Sequence, residues 1–205
     1  MPKSSSAYEF LSVWRVEATC GEVADILGDA SALARWWPSV YLEVQELDPP
    51  DARGLGRRAR VVTKGWLPCT LRWECVTTES RYPNGFTIVA AGDFNGLGVW
   101  TFEQHGPFVE ITYDWRIGVE KPGVKQMSFL LKPLFEANHR WAMAQGEESL
   151  KLELARRRAT SDAARTAVPP PPGPVTYAGV ALVAGAAAIG AGLVYLLVRS
   201  RRKSR

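Results

Sequence analysis

The chain has few of the side chains that usually bind metals or act as nucleophiles. Its 205 residues include only two histidines and three cysteines. Neither His105 nor His139 has a second ligand three or four residues further along the chain, so the pattern argues against a metal site. The Gly-x-Ser-x-Gly sequence of many serine hydrolases is also missing. We expect neither a metal nor a cofactor.

The cysteines and the N-terminus both indicate a reducing compartment. No two cysteines form a Cys-x-x-Cys pair. Cys69 and Cys75 are six residues apart on one predicted strand, about 20 Å, which is too far for a disulfide. Residues 1–7 contain no apolar run of the kind found in signal peptides.

A long uncharged run lies near the C-terminus. Residues 175–198 contain no Asp, Glu, Lys or Arg. As a helix this run would be about 36 Å long, enough to cross a hydrocarbon core of about 30 Å. A buried core helix rarely extends so far without a polar face. The run predicts a single transmembrane helix, with membrane lipid as a partner of the chain.

Positive charge is concentrated in the tail that follows this run. The whole chain has 25 basic and 21 acidic residues, and residues 199–205 hold five of the basic ones. The rest of the chain has 20 basic and 21 acidic residues, so the net positive charge of the whole chain comes from the tail. Cations beside a predicted membrane helix are typical of lipid-headgroup contacts, and we expect no nucleic-acid partner.

Two features bear on the arrangement in the membrane. The positive-inside rule places the basic tail in the cytoplasm, but arginines at 156–158 and 165 oppose that bias. Exporting about 170 residues without a leading signal is the harder event, so we predict a cytoplasmic domain. Pairs of small residues four apart would permit a homodimer through the membrane helix. These pairs are Ala181 and Gly185, Ala186 and Gly190, and Ala188 and Gly192.

Short helices are predicted after a first strand at residues 8–17. Residues 19–22, Thr-Cys-Gly-Glu, match a capping box for a helix that Gly28 stops. Asp29 is predicted to cap a second short helix over residues 33–36, which Pro38 ends.

From residue 40 to residue 117, apolar residues tend to recur at every second position. In residues 109–117, for example, apolar residues at odd positions alternate with mostly polar ones. This alternation predicts antiparallel strands with one dry face and one wet face. Turns are predicted at residues 83–85 and 105–107. The glycine-rich residues 92–98 are interpreted as a strand connector, because a phosphate-binding loop would open a helix.

After residue 123, apolar residues recur at the three- or four-residue spacing that is typical of a helix. A helix is predicted to end near Arg158, with Pro133 either bending it or marking its first turn. A stiff polyproline spacer follows at residues 168–174. The predicted organisation is a domain at 1–158, a Pro-rich linker at 159–174, the transmembrane helix at 175–198 and the basic tail at 199–205.

This order of elements resembles the START-related helix-grip superfamily, also called SRPBCC, over residues 8–156. The resemblance is carried by residues 19–27, 34–38 and 98–102, and residues 138–143 are similar to the polyketide cyclase/dehydrase-like branch. It implies an α+β fold in which a curved, antiparallel, seven-stranded sheet wraps around a long C-terminal helix. Two short helices follow the first strand, and an apolar cavity lies between sheet and helix. Members of the superfamily bind lipids, polyketides, quinones or steroids, and some are enzymes.

Aromatic side chains are the main indication of a ligand site. Trp73, Trp115, Tyr113 and Phe86 have the parity of the concave face, where part of the surface is ordinary core and part can line a pocket. On the long helix, Asn138 and His139 are predicted to orient the polar end of a ligand.

Two further side chains have more open interpretations. Trp66, with Leu67 beside it, is predicted at an exposed loop tip that could gate the pocket or dip into the membrane interface. Arg35 either binds a polar ligand group or stacks on an indole of its tryptophan neighbours.

Three functions fit these patterns. The first is a membrane-tethered module that binds a hydrophobic small molecule such as a lipid, quinone or polyketide. The second is a cyclase- or dehydratase-like enzyme on a polyketide or aromatic substrate, with His139 as acid–base. The third is a domain that docks a partner protein at the membrane.

Overall fold

The computed structural model describes residues 7–119 and 124–176, which contain a seven-stranded sheet and one long helix. The strands, numbered in chain order, are β1 (Ala7–Glu17), β2 (Tyr41–Asp48), β3 (Arg58–Lys64), β4 (Thr70–Ser80), β5 (Gly85–Gly92), β6 (Phe94–His105) and β7 (Phe108–Val119). The helices are α1 (Cys20–Leu27), α2 (Leu33–Trp36), α3 (Val124–Arg158) and α4 (Asp162–Ala167), with a 3₁₀ turn at Ala30–Ala32.

All strand pairs in the sheet are antiparallel, in the order β1-β7-β6-β5-β4-β3-β2. Strands β2 to β7 are sequential neighbours, and β1 closes the series by pairing with β7 along its whole length. The predicted α+β architecture, with its seven strands, two short helices and long C-terminal helix, is confirmed for the described residues.

The first helix begins as the capping box predicts. The Glu22 amide donates to Thr19 Oγ1 at 3.2 Å, and the Thr19 amide donates to Glu22 Oε2 at 2.8 Å. The predicted cap at Asp29 is wrong. Its carboxylate makes no capping bond and instead accepts from Ser31 Oγ at 2.6 Å, because a 3₁₀ turn precedes α2.

The glycine-rich residues 92–98 are only in small part a connector. Strand β5 ends at Gly92 and β6 begins at Phe94, so Asp93 alone joins them. Gly96 and Gly98 are therefore strand residues, and they lie on the same face as Phe94, since side chains alternate along a strand.

The core lies between the inner face of the sheet and the helices. Inward residues of β1, β6 and β7 supply most of its large side chains, among them Trp14, Trp100, Phe102, Ile111 and Trp115. Helix α3 packs closely on the segment after α2: a Cβ added at Gly146 would lie 2.3 Å from the Trp37 ring. Pro133 lies inside α3, nine residues after its start, and so does not mark its first turn.

The linker predicted at 159–174 is partly helical, because α4 occupies six of its residues. Ser161 caps that helix by accepting from the Ala164 amide at 3.1 Å. Most of the predicted transmembrane helix at 175–198, its small-residue pairs and the tail at 199–205 lie outside the described residues. Within residues 7–119 and 124–176, no helix combines the length and apolar character needed to span a membrane.

Candidate functional site

Sheet register brings several of the predicted site residues together on the inner face. Tyr113 of β7 is paired with Ser12 of β1 on one side and with Trp100 of β6 on the other. Trp100 is paired in turn with Phe86 of β5. In the neighbouring row, Phe10, Trp115, Gly98 and Ile88 follow one another across the same four strands.

The aromatic rings of this region are in mutual contact. Tyr113 stacks on Trp100 with ring centroids 3.9 Å apart, and on Trp115 at 5.6 Å. Trp73 lies 6.1 Å from Trp115, and Phe94 contacts both indoles at 5.3 and 5.7 Å. Trp115 is only 7% exposed and Tyr113 only 8%. The inward orientation predicted for Trp73, Trp115 and Tyr113 is therefore confirmed.

Gly98 makes room for the Tyr113 hydroxyl. A Cβ at this position would lie 2.9 Å from Tyr113 Oη, 2.9 Å from the Trp115 ring and 3.0 Å from Ile88. These distances are too short for a real Cβ, so any side chain at position 98 must displace its neighbours. Sequence patterns did not identify Gly98 as a site residue, because residues 92–98 were interpreted as a connector.

The Tyr113 hydroxyl has no hydrogen-bond partner among the described residues, although its side chain is more than nine-tenths buried. Burial raises its pKa well above the usual value, and Tyr41 and Cys75 add to that shift. The pKa of Tyr41 is also raised, by burial first and by Cys75 second. Burial raises the pKa of the Cys75 thiol to about 11. All three groups are therefore protonated at neutral pH and can donate a hydrogen bond.

His139 lies over β1, beside this cluster. Its imidazole stacks on Phe10 with centroids 4.3 Å apart, and its Nε2 lies 3.2 Å from Ser12 Oγ. Burial lowers its pKa to about 4, so the ring is neutral at pH 7. Because Ser12 is paired with Tyr113, the imidazole stands one strand away from the unpartnered hydroxyl.

Asn138, the preceding residue of α3, has a different contact. Its Oδ1 accepts from the Leu67 amide at 3.2 Å, and a Cβ at Gly65 would overlap its amide group. Successive helix residues point about 100° apart, so Asn138 holds the β3–β4 loop while His139 faces β1. The structure does not bring these two side chains to one point, and their roles in binding a ligand stay predictions.

The β3–β4 loop is less exposed than the sequence pattern indicated. Leu67 is buried, so the expectation of an exposed apolar residue is wrong at this position. Trp66 is partly exposed, and its role as a gate stays a prediction. Leu67 is covered because the Asn138 hydrogen bond holds this loop against α3.

A cleft of about 260 Å³ opens at the other end of the strands, between the end of α1 and the β4–β5 turn. Its lining includes Gly28, Arg57, Thr77, Tyr82 and Phe86. Phe86 also lies 6.3 Å from Trp100, ring to ring, so one side chain borders both this cleft and the aromatic cluster.

Neither of the two interpretations of Arg35 describes the contact that it makes. Its guanidinium forms a bidentate pair with Glu153 of α3, with N–O distances of 3.0 and 2.8 Å. Arg157 also donates to Glu153, at 3.0 Å. Local sequence patterns carry no signal for this pair, because its members are 118 residues apart.

Comparison with known proteins supports the fold and no finer classification. No protein-family model matches the sequence, and no curated protein matches it. The Zhui aromatase/cyclase from Streptomyces sp. R1128 has a TM-score of 0.63 at 11% identity, over 76% of this chain and 98% of that one. The protein TTHA0849 from Thermus thermophilus has a TM-score of 0.60 at 15% identity, over 74% and 100%.

A START superfamily protein from Mycobacterium smegmatis is similar as well, with a TM-score of 0.58 at 13% identity over 71% of this chain and 96% of that one. At these identities the likeness concerns the fold alone. The chain has the START-like helix-grip fold, also seen in aromatase/cyclases, as the resemblance of its sequence implied.

Proposed function

We propose that this protein binds a hydrophobic small molecule on the inner face of the sheet, with Tyr113 as the polar contact. The observation that carries the proposal is the Tyr113 side chain, which lies among aromatic rings at 8% exposure and whose hydroxyl has no partner in the described part of the chain. If a bound ligand covered this hydroxyl without pairing with it, the unpaired group would cost about 1–3 kcal/mol. A ligand with a carbonyl or hydroxyl oxygen would satisfy it.

The surrounding side chains define the class of ligand. Trp115, Trp73 and Phe94 are packed on one another beside Tyr113 and give this region an apolar, aromatic character. The pKa directions of Tyr113, Tyr41 and Cys75 keep all three groups uncharged at neutral pH. A neutral lipid, quinone or polyketide-like molecule suits this environment better than an anion, because these uncharged groups offer an anion no opposite charge.

The proposal includes the membrane. Residues 175–198 are uncharged and long enough to cross a bilayer. We place the binding domain on the cytoplasmic side, tethered by this segment, where it would take its ligand from the bilayer or deliver it there. Support for the tether comes from the sequence.

Cyclisation of a polyketide-like substrate is the second candidate, and the position of His139 favours it. Its imidazole is hydrogen-bonded to Ser12 one strand away from Tyr113. One of the similar structures is an aromatase/cyclase. With a pKa of about 4, however, the imidazole is a weak base at pH 7 and a poor proton donor. Loss of turnover of a poly-β-ketone thioester in His139→Gln, with ligand binding intact, would identify the enzyme.

Two matched probes test the binding proposal. Menadione has an aromatic body with two carbonyl oxygens, and 2-methylnaphthalene has the same carbon frame without them. Equilibrium dialysis of the full-length chain in an uncharged detergent would measure both. Tyr113→Phe should weaken menadione binding roughly two- to tenfold, the worth of one neutral hydrogen bond, and leave 2-methylnaphthalene unaffected.

Tyr82→Phe is the control, because Tyr82 is 65% exposed and its substitution removes the same hydroxyl from the surface. Equal menadione affinities for Tyr113→Phe and Tyr82→Phe would show that the Tyr113 hydroxyl does not contact the ligand. No saturable binding of either probe would remove the support for a site on the inner face.

A further inference from the structure

A second cleft, of about 470 Å³, lies near the end of the described chain, away from the inner face of the sheet. It is formed by α2, the end of α3, the short helix α4 and the proline-rich segment after it. Among the described residues that line it, three are arginines and none is acidic; the lining consists of Arg35, Arg156, Arg165, Thr166, Val168, Pro170 and Pro171.

The arginines in and beside this cleft exceed the negative charge available to them. Arg35, Arg157 and Arg156 all face one carboxylate, that of Glu153, at 2.8, 3.0 and 3.9 Å. That carboxylate is buried, with 2% of its side chain exposed, and it can neutralise only one of the three. Asp29 adds a weaker attraction on Arg35.

Donor groups remain free for a ligand. Each guanidinium has five N–H donors, and Arg35 uses two of them on Glu153. Arg165 pairs only with Asp162 among the described residues, a carboxylate that is 97% exposed, and its own side chain is 54% exposed. Such a surface pair is weak and its partner is readily replaced. The prolines at 170 and 171 contribute no N–H, so the arginines are the main donors to the cleft.

Arg156 fixes the shape of the cleft. Its guanidinium donates to the Pro169 carbonyl, which holds the proline-rich segment against the end of α3. The segment therefore forms one wall, and the guanidinium groups of Arg35 and Arg165 line the space beside it.

We propose that this cleft binds a phosphate group. Planar guanidinium groups match phosphate oxygens in a bidentate manner, and several around one space are typical of phosphate recognition. The sequence favours a phospholipid headgroup as the source, because the uncharged run begins at Val175, four residues after Pro171. A soluble phosphate compound has the same chemistry, and the experiment below separates the two.

Titration calorimetry of the full-length chain in dodecyl maltoside tests the proposal with three probes. Dioctanoyl phosphatidic acid carries the phosphate on two short acyl chains, dioctanoylglycerol has the chains without it, and inorganic phosphate has no chains. We expect saturable binding of the phosphatidic acid that depends on Arg165, whereas the glyceride, a neutral lipid that suits the inner-face site, should show no binding that depends on this arginine. Inorganic phosphate binding as tightly as phosphatidic acid would identify a soluble ligand, and the cleft would still be its site.

Arg165→Gln should weaken binding about five- to tenfold through the loss of one charged donor. Arg35→Lys keeps the charge but loses the planar fork, and it should weaken binding as well. The matched control is Arg60→Gln, because Arg60 is equally exposed at 55%, is paired with Glu74 of the neighbouring strand and does not line the cleft.

A readout on the unmodified chain avoids dependence on the folding of any variant. Phosphatidic acid should protect Arg35 and Arg165 from phenylglyoxal and leave Arg60 reactive, as peptide mass spectrometry would show. Absence of binding by both phosphate probes would overturn the proposal. Equal phosphatidic acid affinities for Arg165→Gln and Arg60→Gln, together with no selective protection of Arg35 and Arg165 from phenylglyoxal, would overturn it as well. The assay contains no bilayer, and Arg35 and Arg165 line the cleft and not the inner face, so the effects of their substitution and their protection are independent of the tether and of the inner-face site.

Discussion

Gly98 shows how one missing side chain defines a site. The Tyr113 hydroxyl and the Trp115 ring both occupy space that a Cβ at position 98 would need. The nearby Gly118 is also a strand residue, but a Cβ there would meet only Asn95 O at 4.0 Å. The two glycines are thus alike in secondary structure and differ in what lies over them.

We expect Gly98→Ala to lower the free energy of unfolding by about 1–3 kcal/mol, the usual effect of overpacking a core. It should also weaken menadione binding, because the Tyr113 hydroxyl must move. Urea unfolding followed by tryptophan fluorescence would measure the first effect and dialysis the second. Gly118→Ala is the control and should change neither; equal effects of the two variants would mean that Gly98 does not support the site.

His139 predicts a pH dependence of stability. Its pKa is about 4 in the folded protein and 6.5 without burial, so the unfolded chain takes up the proton first as the pH falls. Stability should therefore decrease from about pH 6.5 to pH 4, by about 2–3 kcal/mol in total. Urea unfolding of His139→Gln should show a flatter profile between pH 7 and pH 5. An NMR titration of His105→Gln, which leaves one imidazole, would contradict this if His139 titrated near pH 6.5.

At the scale of the element, local patterns were sufficient for much of the fold. The capping box at residues 19–22 and the period of two in residues 109–117 depend on neighbours in sequence, and both predictions are confirmed. The contacts of Ser12 with His139 and of Arg35 with Glu153 join residues 127 and 118 positions apart. No local pattern encodes such pairs, which is why the inner-face site was predicted only as a set of inward aromatic residues.

The ion pair between α2 and α3 should contribute strongly to stability. Glu153 is 1% exposed and accepts hydrogen bonds from Arg35 and Arg157. These hydrogen bonds and charges lower its pKa despite the opposing effect of burial. Replacing it by Gln removes the charge from a group of arginines, and we expect a loss of about 2–4 kcal/mol in unfolding free energy.

Glu147→Gln is the matched control on the same helix. Glu147 is more exposed and pairs with Lys151 four residues on, at 2.7 Å. Such a surface pair contributes a few tenths of a kcal/mol. Chemical denaturation of both variants would test the difference, and equal losses would show that the α2–α3 ion pair does not hold these helices together.

At the scale of the whole molecule, the chain divides into two parts that differ in composition. The first compact unit ends at Pro174 and has its own core of buried side chains. The residues beyond it combine an uncharged run with five cations. We therefore expect the first unit to fold without this segment, and we expect attachment to a bilayer to depend on it.

A chain ending at Pro174 should therefore be folded without detergent and should unfold at the same urea concentration as the full chain in detergent. It keeps the Arg156 contact with Pro169, so the arginine cleft is retained.

In cell fractionation the full chain should sediment with membranes and resist extraction by high salt, because an apolar helix is not held by charge. The shortened chain should stay in the supernatant. A shortened chain that aggregates, while the full chain is dispersed and folded in detergent, would show instead that residues after Pro174 cover part of the domain. A full chain released by salt alone would mean that only the basic tail holds it to the membrane.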